Sequence, residues 1–329
     1  MKPPIPALRR WIIMLSVAAL GCAAVHAHAT QITQPIRLVV PYPPGGATDL
    51  IGRTIGKALG DSLGVPVVVE NKGGAAGSIG AAEVSHAKPD GQTLLLAALS
   101  SHAVYQALNP GTVQFDLAKS FDAVSMIGNV PQAFVVNPSV KANTLAEFLA
   151  LARSRPGAVS IASAGSGSTQ QMAAILLAES AGVNLLQVTY KGSGPAVTDL
   201  LAGHVDSMFG TLPSVQEHVN AGGARLLAVT SARRLDSAPA VPTFKEAGIE
   251  NFDVNSLFGI LAPTGTPPDR IDLIARAIER GLAQAPVREA LVRHGVVIDY
   301  QGPAKARDTV VAEVGKWAGV VDRMKLRPQ

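Results

Sequence analysis

Beyond its first thirty or so residues the chain alternates short apolar runs with amphipathic segments almost to its end, and this rhythm restricts the available folds more than any other feature. Runs at 36–40, 65–69, 93–98, 133–136, 159–162, 205–209, 226–229 and 258–262 are short, apolar and bounded by Gly, Pro or Asn, as buried strands are. Segments 49–63, 144–154, 169–181, 194–202, 270–284 and 306–325 between them carry apolar residues at helical spacing. One marks its own ends: Thr144 precedes LAEFLALARSRPG, with Glu147 three positions on as a capping box and Pro156-Gly157 just past the stop. Such alternation predicts an α/β fold with largely parallel sheets.

The N-terminus follows another rule. Lys2, Arg9 and Arg10 precede the 15-residue apolar run WIIMLSVAALGCAAV, and a small-x-small ending follows at Ala27 and Ala29. That is the pattern of a secretory signal peptide over residues 1–29, shorter than the ~20 apolar residues that span a bilayer. Arg9-Arg10 leaves twin-arginine export open beside general secretion, and ALGC at Cys22 leaves a lipoprotein site open. Without the three basic residues of this segment, 25 of the 28 Lys and Arg remain against 24 acids. A net charge near +1, with no long basic run, excludes nucleic acid as a partner. Cys22 is the sole cysteine, so the exported chain has neither disulfides nor thiol chemistry and depends on its core. At 329 residues less 29, that core divides naturally into two domains.

Nothing reads as a flexible linker. The strand-like segments DAVSMIGNVPQAFVVN (122–137) and NFDVNSLFGILAP (251–263) are long enough to leave one sheet and enter another. Two such crossings predict a discontinuous first lobe, 30–125 plus 259–329, around an inserted second lobe, 126–258. That is the plan of a hinged, two-lobed binding protein.

Between the first strand and its helix stands PYPPGGATDL. Pro41, Pro43 and Pro44 stiffen the turn, and Gly45 and Gly46 present N–H groups unshielded by Cβ at a helix N-terminus, a ready anion site. Asp49 is the acid beside it, able to orient waters or to accept from a ligand hydroxyl or ammonium. Strand, small residues and helix recur in NKGGAAGSIGAAEV, ASAGSGSTQQMAA and VTYKGSGPAVTDLL, the last two in the other lobe. Ligands of parallel α/β sheets lie beyond the carboxyl ends of strands, where these turns lie. The donors there, amides with Ser78, Ser101, Ser168, Thr169, Tyr190 and Lys191, suit a small carboxylate. Nucleotide motifs are absent: GGAAGSIG is no Rossmann fingerprint, and GRTIGKA has the wrong spacing for a P-loop. His86, His102, His204, His218 and His294 are scattered without metal-ligand spacing, so no metal and no cofactor is expected. Adjacent Ser101 and His102 supply the alternative reading, an exported hydrolase, although G-x-S-x-G occurs nowhere.

In order, PIRLVVPYPPGGATDLIGR, GVPVVVENKGGAAGSIGA, KPDGQTLLLA, SAGSGSTQQMAA, VTYKGSGPAVTDLLAGHVDSMF, LAVTSARR, VPTFKEAG and FGILAPTGTP resemble the extracytoplasmic substrate-binding proteins of tripartite tricarboxylate transporters, the Bug or TctC type. The resemblance spans nearly the whole exported chain. It implies a two-lobed type II periplasmic-binding-protein fold that closes on an organic carboxylate, with no enzymatic activity. It implies as partners the permease subunits of such a transporter, or a sensor receptor for the same closed form, served by a periplasmic monomer. Carried over by position, the ligand-binding set is Tyr42, Gly45, Gly46, Asp49, Ser78, Ser101 and His102 from the first lobe, with Ala164, Ser168, Thr169, Tyr190, Lys191, Gly192 and Gly210 from the second. Two positions depart from the family pattern: Gly210, in MFGTLPS, stands where an acid is common, and Leu257 where Trp often precedes FG.

Overall fold

The computed structural model describes residues 32–327 except 236, 251 and 253. The expected signal peptide, its cleavage site and Cys22 lie outside the described residues. In chain order the elements are β1 (Ile36–Val40), α1 (Ala47–Leu63), β2 (Val67–Asn71), α2 (Ser78–Ser85), β3 (Thr93–Ala98), α3 (Leu99–Leu108) and β4 (Phe121–Val136). Then come α4 (Leu145–Ser154), β5 (Ser160–Ser163), α5 (Thr169–Ala181), β6 (Leu186–Thr189), α6 (Ser193–Ala202), β7 (Ser207–Thr211), α7 (Leu212–Asn220) and β8 (Arg225–Val229). The chain ends with β9 (Asn255–Pro263), α8 (Pro268–Ala283), α9 (Ala285–Arg293), β10 (Val297–Gln301) and α10 (Pro303–Arg323).

Strand order is β2-β1-β3-β9-β4-β7-β5-β6, with β10 and β8 also paired to β4. β1 runs parallel to β2 and β3, and β5 parallel to β6 and β7, so these strands end on one side of each sheet. The sheets are mixed rather than largely parallel as expected, because β4, β9, β8 and β10 all pair antiparallel, among themselves or with β3 and β7. The two crossover segments are β4 and β9, which pair antiparallel from Phe121↔Pro263 to Pro131↔Asn255. Past that stretch β4 enters the other sheet, where Gln132–Val136 pair with Thr211–Ser207 of β7. The two strands are thus paired over most of their common length, with register shifts between Ala123 and Ser125 and between Met126 and Gly128.

Local rules account for most boundaries. The Thr144 hydroxyl accepts from the Glu147 N–H at 3.2 Å, while the Glu147 carboxylate reaches back to the N–H of Asn143, one residue earlier than a standard capping box. Strands β6 and β10 are absent from the periodicity reading, because both are half-exposed and lack a continuous apolar run. Helices α3 and α7 are missed as well. Both begin on the residue that follows a strand, so no polar loop sets them apart.

Helix α1 lies close against the sheet through a stripe of glycines at helical spacing, Gly52, Gly56 and Gly60. A Cβ on Gly52 would lie 2.5 Å from Cγ2 of Val40, one on Gly56 3.1 Å from Val69, and one on Gly60 3.0 Å from the Val65 carbonyl. The repeat that mimics part of a phosphate loop in GRTIGKA is therefore a packing device. Trp317 is fully buried and donates its indole N–H to Glu313 at 2.7 Å, so it belongs to the core rather than to a ligand platform.

Because Val40 is β-branched and fully buried, it has little room to yield to a new methyl group. Gly52→Ala should cost about 1–3 kcal/mol in denaturant unfolding. Gly315→Ala, on an open face of α10 with no atom within 4 Å, should gain about 0.5–1 kcal/mol. Equal effects at the two positions would remove the stripe from the packing account.

Candidate ligand-binding cleft

At the first turn, Gly46 is the N-cap of α1 and Gly45 turns the chain just before it. Asp49, only 2% exposed, anchors this turn from within. Its Oδ2 accepts from the Gly45 N–H and from Arg53 Nε, both at 3.0 Å, and its Oδ1 accepts from Asn71 Nδ2 at 2.9 Å. The same Asn71 amide also donates to the Tyr42 carbonyl at 2.9 Å. Burial raises the Asp49 pKa, but Arg53, Gly45 and Asn71 together outweigh it and hold the carboxyl below its ordinary value. Asp49 is thus a permanent anion that shapes the turn, with both oxygens engaged inside the protein. Of the two glycine amides expected to be open, Gly45 is occupied, and Gly46 remains exposed at the helix end.

The second turn packs on the first. Tyr42 donates its hydroxyl to the Ala76 carbonyl at 3.0 Å. Gly77, at φ 89°, stands where a Cβ would meet His102 Nε2 at 2.7 Å and Tyr42 Cε2 at 3.2 Å, so any side chain there would break the stack. Burial pushes the Tyr42 phenol up to about 12, with the Ser101 hydroxyl beside it pulling partway back. His102 does not reach an open cleft. It is fully buried with its ring edge-on to Phe115 at 6.1 Å, and neither ring nitrogen finds a hydrogen bond. Burial drives its pKa down to about 4, with the Gly77 backbone opposing, so the ring is neutral. Ser78 opens α2, half-buried.

Ser101, in the first turn of α3, makes the contact that joins the two sets. Its Oγ lies 3.1 Å from Oγ1 of Thr169, the first residue of α5 in the other lobe. The neighbouring Ser100 donates to the Asn255 carbonyl at 2.9 Å and accepts from the Leu257 N–H at 3.2 Å, tying α3 to the crossover β9. Leu257 thus pairs through its backbone at this junction. With Ser101 facing Thr169 and His102 unbonded, the Ser–His pair does not form the hydrogen bond that a hydrolytic dyad needs.

In the second lobe the Ser168 hydroxyl caps α5 by accepting from the Gln171 N–H at 3.2 Å, and Gln171 Oε1 in turn accepts from the Gly167 N–H at 2.8 Å. Ala164 and Gly165 are half-buried on the same turn, and a Cβ on Gly165 would lie 3.7 Å from the Tyr190 carbonyl. The Tyr190 hydroxyl donates to Asp199 Oδ2 at 2.7 Å; burial and then this carboxylate push the phenol up to about 12. Lys191 is exposed and Gly192 is the N-cap of α6, open on its Cβ side. Gly210 faces elsewhere: a Cβ there would meet Val215 Cγ1 at 3.1 Å and Ser214 Oγ at 3.2 Å, in the opening turn of α7. An acid at that position would point into α7 rather than toward the Ser101–Thr169 contact.

Sequence reasoning missed Arg53, Asn71 and Gly77. Arg53 had a visible signal, its i+4 spacing from Asp49. Asn71 and Gly77 had none, because their partners are 22 and 25 positions away. Among the described residues, the buried Gln132 Oε1 in β4 and Ser163 Oγ at the end of β5 have no hydrogen-bond partner. Among the described residues no group of three or more His, Cys, Asp or Glu is placed to hold a metal, and no helix is long and apolar enough to cross a membrane.

Residues 51–326 match the family described as the tripartite tricarboxylate transporter family receptor, TctC. The chain belongs to this family. It is 38% identical to protein BugT of Bordetella pertussis over 311 residues, 94% of this chain and 95% of that protein. Among solved structures it resembles Rpa4515 of R. palustris with adipate, at 31% identity and TM-score 0.80, covering 88% of this chain and 97% of that one. It likewise resembles MatC from Rhodopseudomonas palustris with bound malate, at 30% identity and TM-score 0.78, covering 88% and 99%. The two-lobed α/β fold expected from the sequence is the fold of this family of solute-binding proteins.

The buried neutral His102 makes stability depend on pH. Its folded pKa lies below its ordinary 6.5, so the unfolded chain takes up the proton first. The associated stability is complete above pH 6.5 and is lost as pH falls toward 4, by about 3 kcal/mol. His102→Leu should flatten the pH dependence of urea unfolding across that window. An unchanged slope would mean that the ring is hydrated.

Proposed function

We propose that the protein is a periplasmic solute-binding protein that captures a small organic carboxylate between its lobes and delivers it to the permease subunits of a tripartite tricarboxylate-type transporter. In this reading residues 1–29 are a cleaved signal peptide, 30–125 with 259–329 form the first lobe, and 126–258 the second. The protein is a monomer and not an enzyme.

The contact between Ser101 and Thr169 carries the proposal. It brings the N-termini of α3 and α5 together from opposite lobes, each helix without an acid in its first turn. Helix N-termini carry unpaired N–H donors and partial positive charge, so an anion placed between them gains from both lobes at once. Closure then follows from binding, since only the closed form supplies both sets of donors. Gly46, the exposed N-cap of α1, and Gly192, the half-buried N-cap of α6, add two further helix N-termini, the first with Asp49 in its opening turn. Asp49, its oxygens engaged by Gly45, Arg53 and Asn71, offers the guest little repulsion. Adipate and malate, the ligands of two solved relatives, are small organic carboxylates of the class proposed.

A thermal-shift screen of mono-, di- and tricarboxylates tests the reading. A true ligand at one hundred times its Kd should add about 2.7 kcal/mol of stability. Gly46→Val should keep the fold, because φ is −81° and the nearest atom to a new Cβ is 3.9 Å away. The same variant should bind at least roughly tenfold more weakly, since the β-branched side chain covers the amides an anion must approach. Full affinity in Gly46→Val would dissociate the first turn from binding, and no response across the panel would dismiss the carboxylate class.

A further inference from the structure

A cavity of about 910 Å³ lies between the lobes, and no candidate cleft residue lines it. One wall comes from the segment after β8 (Arg233, Arg234, Leu235) and from the start of α7; the other comes from α9 (Arg288, Val292, Arg293) and the start of β10. Asn129, Pro131 and Asn255 of the crossover strands also line it. At its floor the lobes touch so closely that a Cβ on Gly295 would lie 2.6 Å from Cγ of Pro213.

Among the described lining residues the charge of this groove is one-sided. Four arginines face Glu217, the acid among the described lining residues. Arg234 is held by Glu246, with Nε 2.9 and 3.1 Å from the two oxygens, and by the Pro239 carbonyl at 3.1 Å. Arg233, Arg288 and Arg293 are exposed and form no ion pair among the described residues. Like charges on both walls of a concave surface focus their field into it. Guanidinium forks bind carboxylates in bidentate fashion, so Asp and Glu side chains suit these arginines. Between the arginines the surface is apolar, with Leu235 half-buried and Val292 59% exposed.

We infer that this groove docks an acidic, partly apolar segment of a partner protein. Carboxylates of the segment pair with Arg288 and Arg293 on one wall and Arg233 on the other, and its apolar side chains cover Val292 and Leu235. Because the arginines belong to both lobes, the segment spans the seam and senses how far the lobes are apart. The inference uses none of the residues assigned to carboxylate capture, so failure of either leaves the other standing.

The test is fluorescence polarisation of a fluorescein-labelled octapeptide of alternating Glu and Leu, titrated with the full chain at low ionic strength. Saturable binding is expected, weakened roughly tenfold or more by Arg288→Glu/Arg293→Glu and, from the opposite wall, by Arg233→Glu alone. It should also weaken with added salt, since the pairs are at the surface. The control reversal Arg276→Glu/Arg307→Glu, at exposed positions outside the groove, should leave it unchanged. Melting curves establish that each variant is folded, and Arg233→Glu decides the matter if the double variant is not. The inference is overturned by absence of saturable binding, by wild-type affinity in the groove variants, or by an equal loss in the control. It is equally overturned if phosphatidylglycerol vesicles, and not the peptide, bind through these arginines.

Discussion

The antiparallel pairing of β4 with β9 is the interaction on which the rest of this molecule depends. Both crossings between the lobes are made by strands hydrogen-bonded to each other along most of their common length. β4 then continues into the second sheet without leaving extended backbone. Two strands locked together resist shear and twist far better than a single linker, yet they can bend where pairing changes partner. That change occurs at Pro131 and Gln132. There the Gln132 N–H reaches the Thr230 hydroxyl at 2.8 Å and its side-chain amide reaches Ser256 at 3.1 Å. Asn129, Pro131 and Asn255 of the same two strands also line the arginine groove.

From that frame the cleft follows by geometry. The parallel strands of each lobe end on the same side, so the turns after β1, β2 and β3, and those after β5, β6 and β7, deliver their helix N-termini to one rim. Joining the lobes through β4 and β9 faces the two rims, and α3 and α5 come to within a hydroxyl–hydroxyl contact. The acid at the first turn acts as part of the scaffold. Asp49 holds Gly45, Arg53 and Asn71 in place, and a carboxylate with three donors stays ionised although buried. The Asp49 charge is offset by the Arg53 guanidinium, and both carboxylate oxygens are engaged within the protein.

Much of this was legible in the chain itself. The glycine-rich turns, the two crossovers and the parallel part of each sheet follow from periodicity and from the residues that bound each run, whereas the antiparallel pairing of β4 and β9 does not, since it is set by residues more than 120 positions apart. The helix at Thr144 follows from its cap. Less legible were elements whose identity depends on what covers them: β6 and β10 are half-exposed, and α3 and α7 begin with no loop before them. At the cleft, the residue types were readable but their orientation was not. His102 follows an apolar strand, as a cleft histidine would, yet it turns under Gly77 and beside Phe115. Gly210 stands in a segment that reads as cleft-lining, yet its open side faces α7.

By itself the sequence determined which turns carry unshielded N–H groups at helix ends, because that depends on the order of strand, glycine and helix along a few residues. It equally determined that two strand-like segments had to carry the chain between sheets. Which of the donors remain available was decided by the tertiary structure alone. Hydrogen bonds between residues far apart in the chain, Asn71 to Asp49 and Ser101 to Thr169, depend on distances in space that no local pattern encodes. The arginine groove is of the same kind, since Arg233 and Arg288 are 55 positions apart and share a surface only because β4 and β9 bring their lobes together.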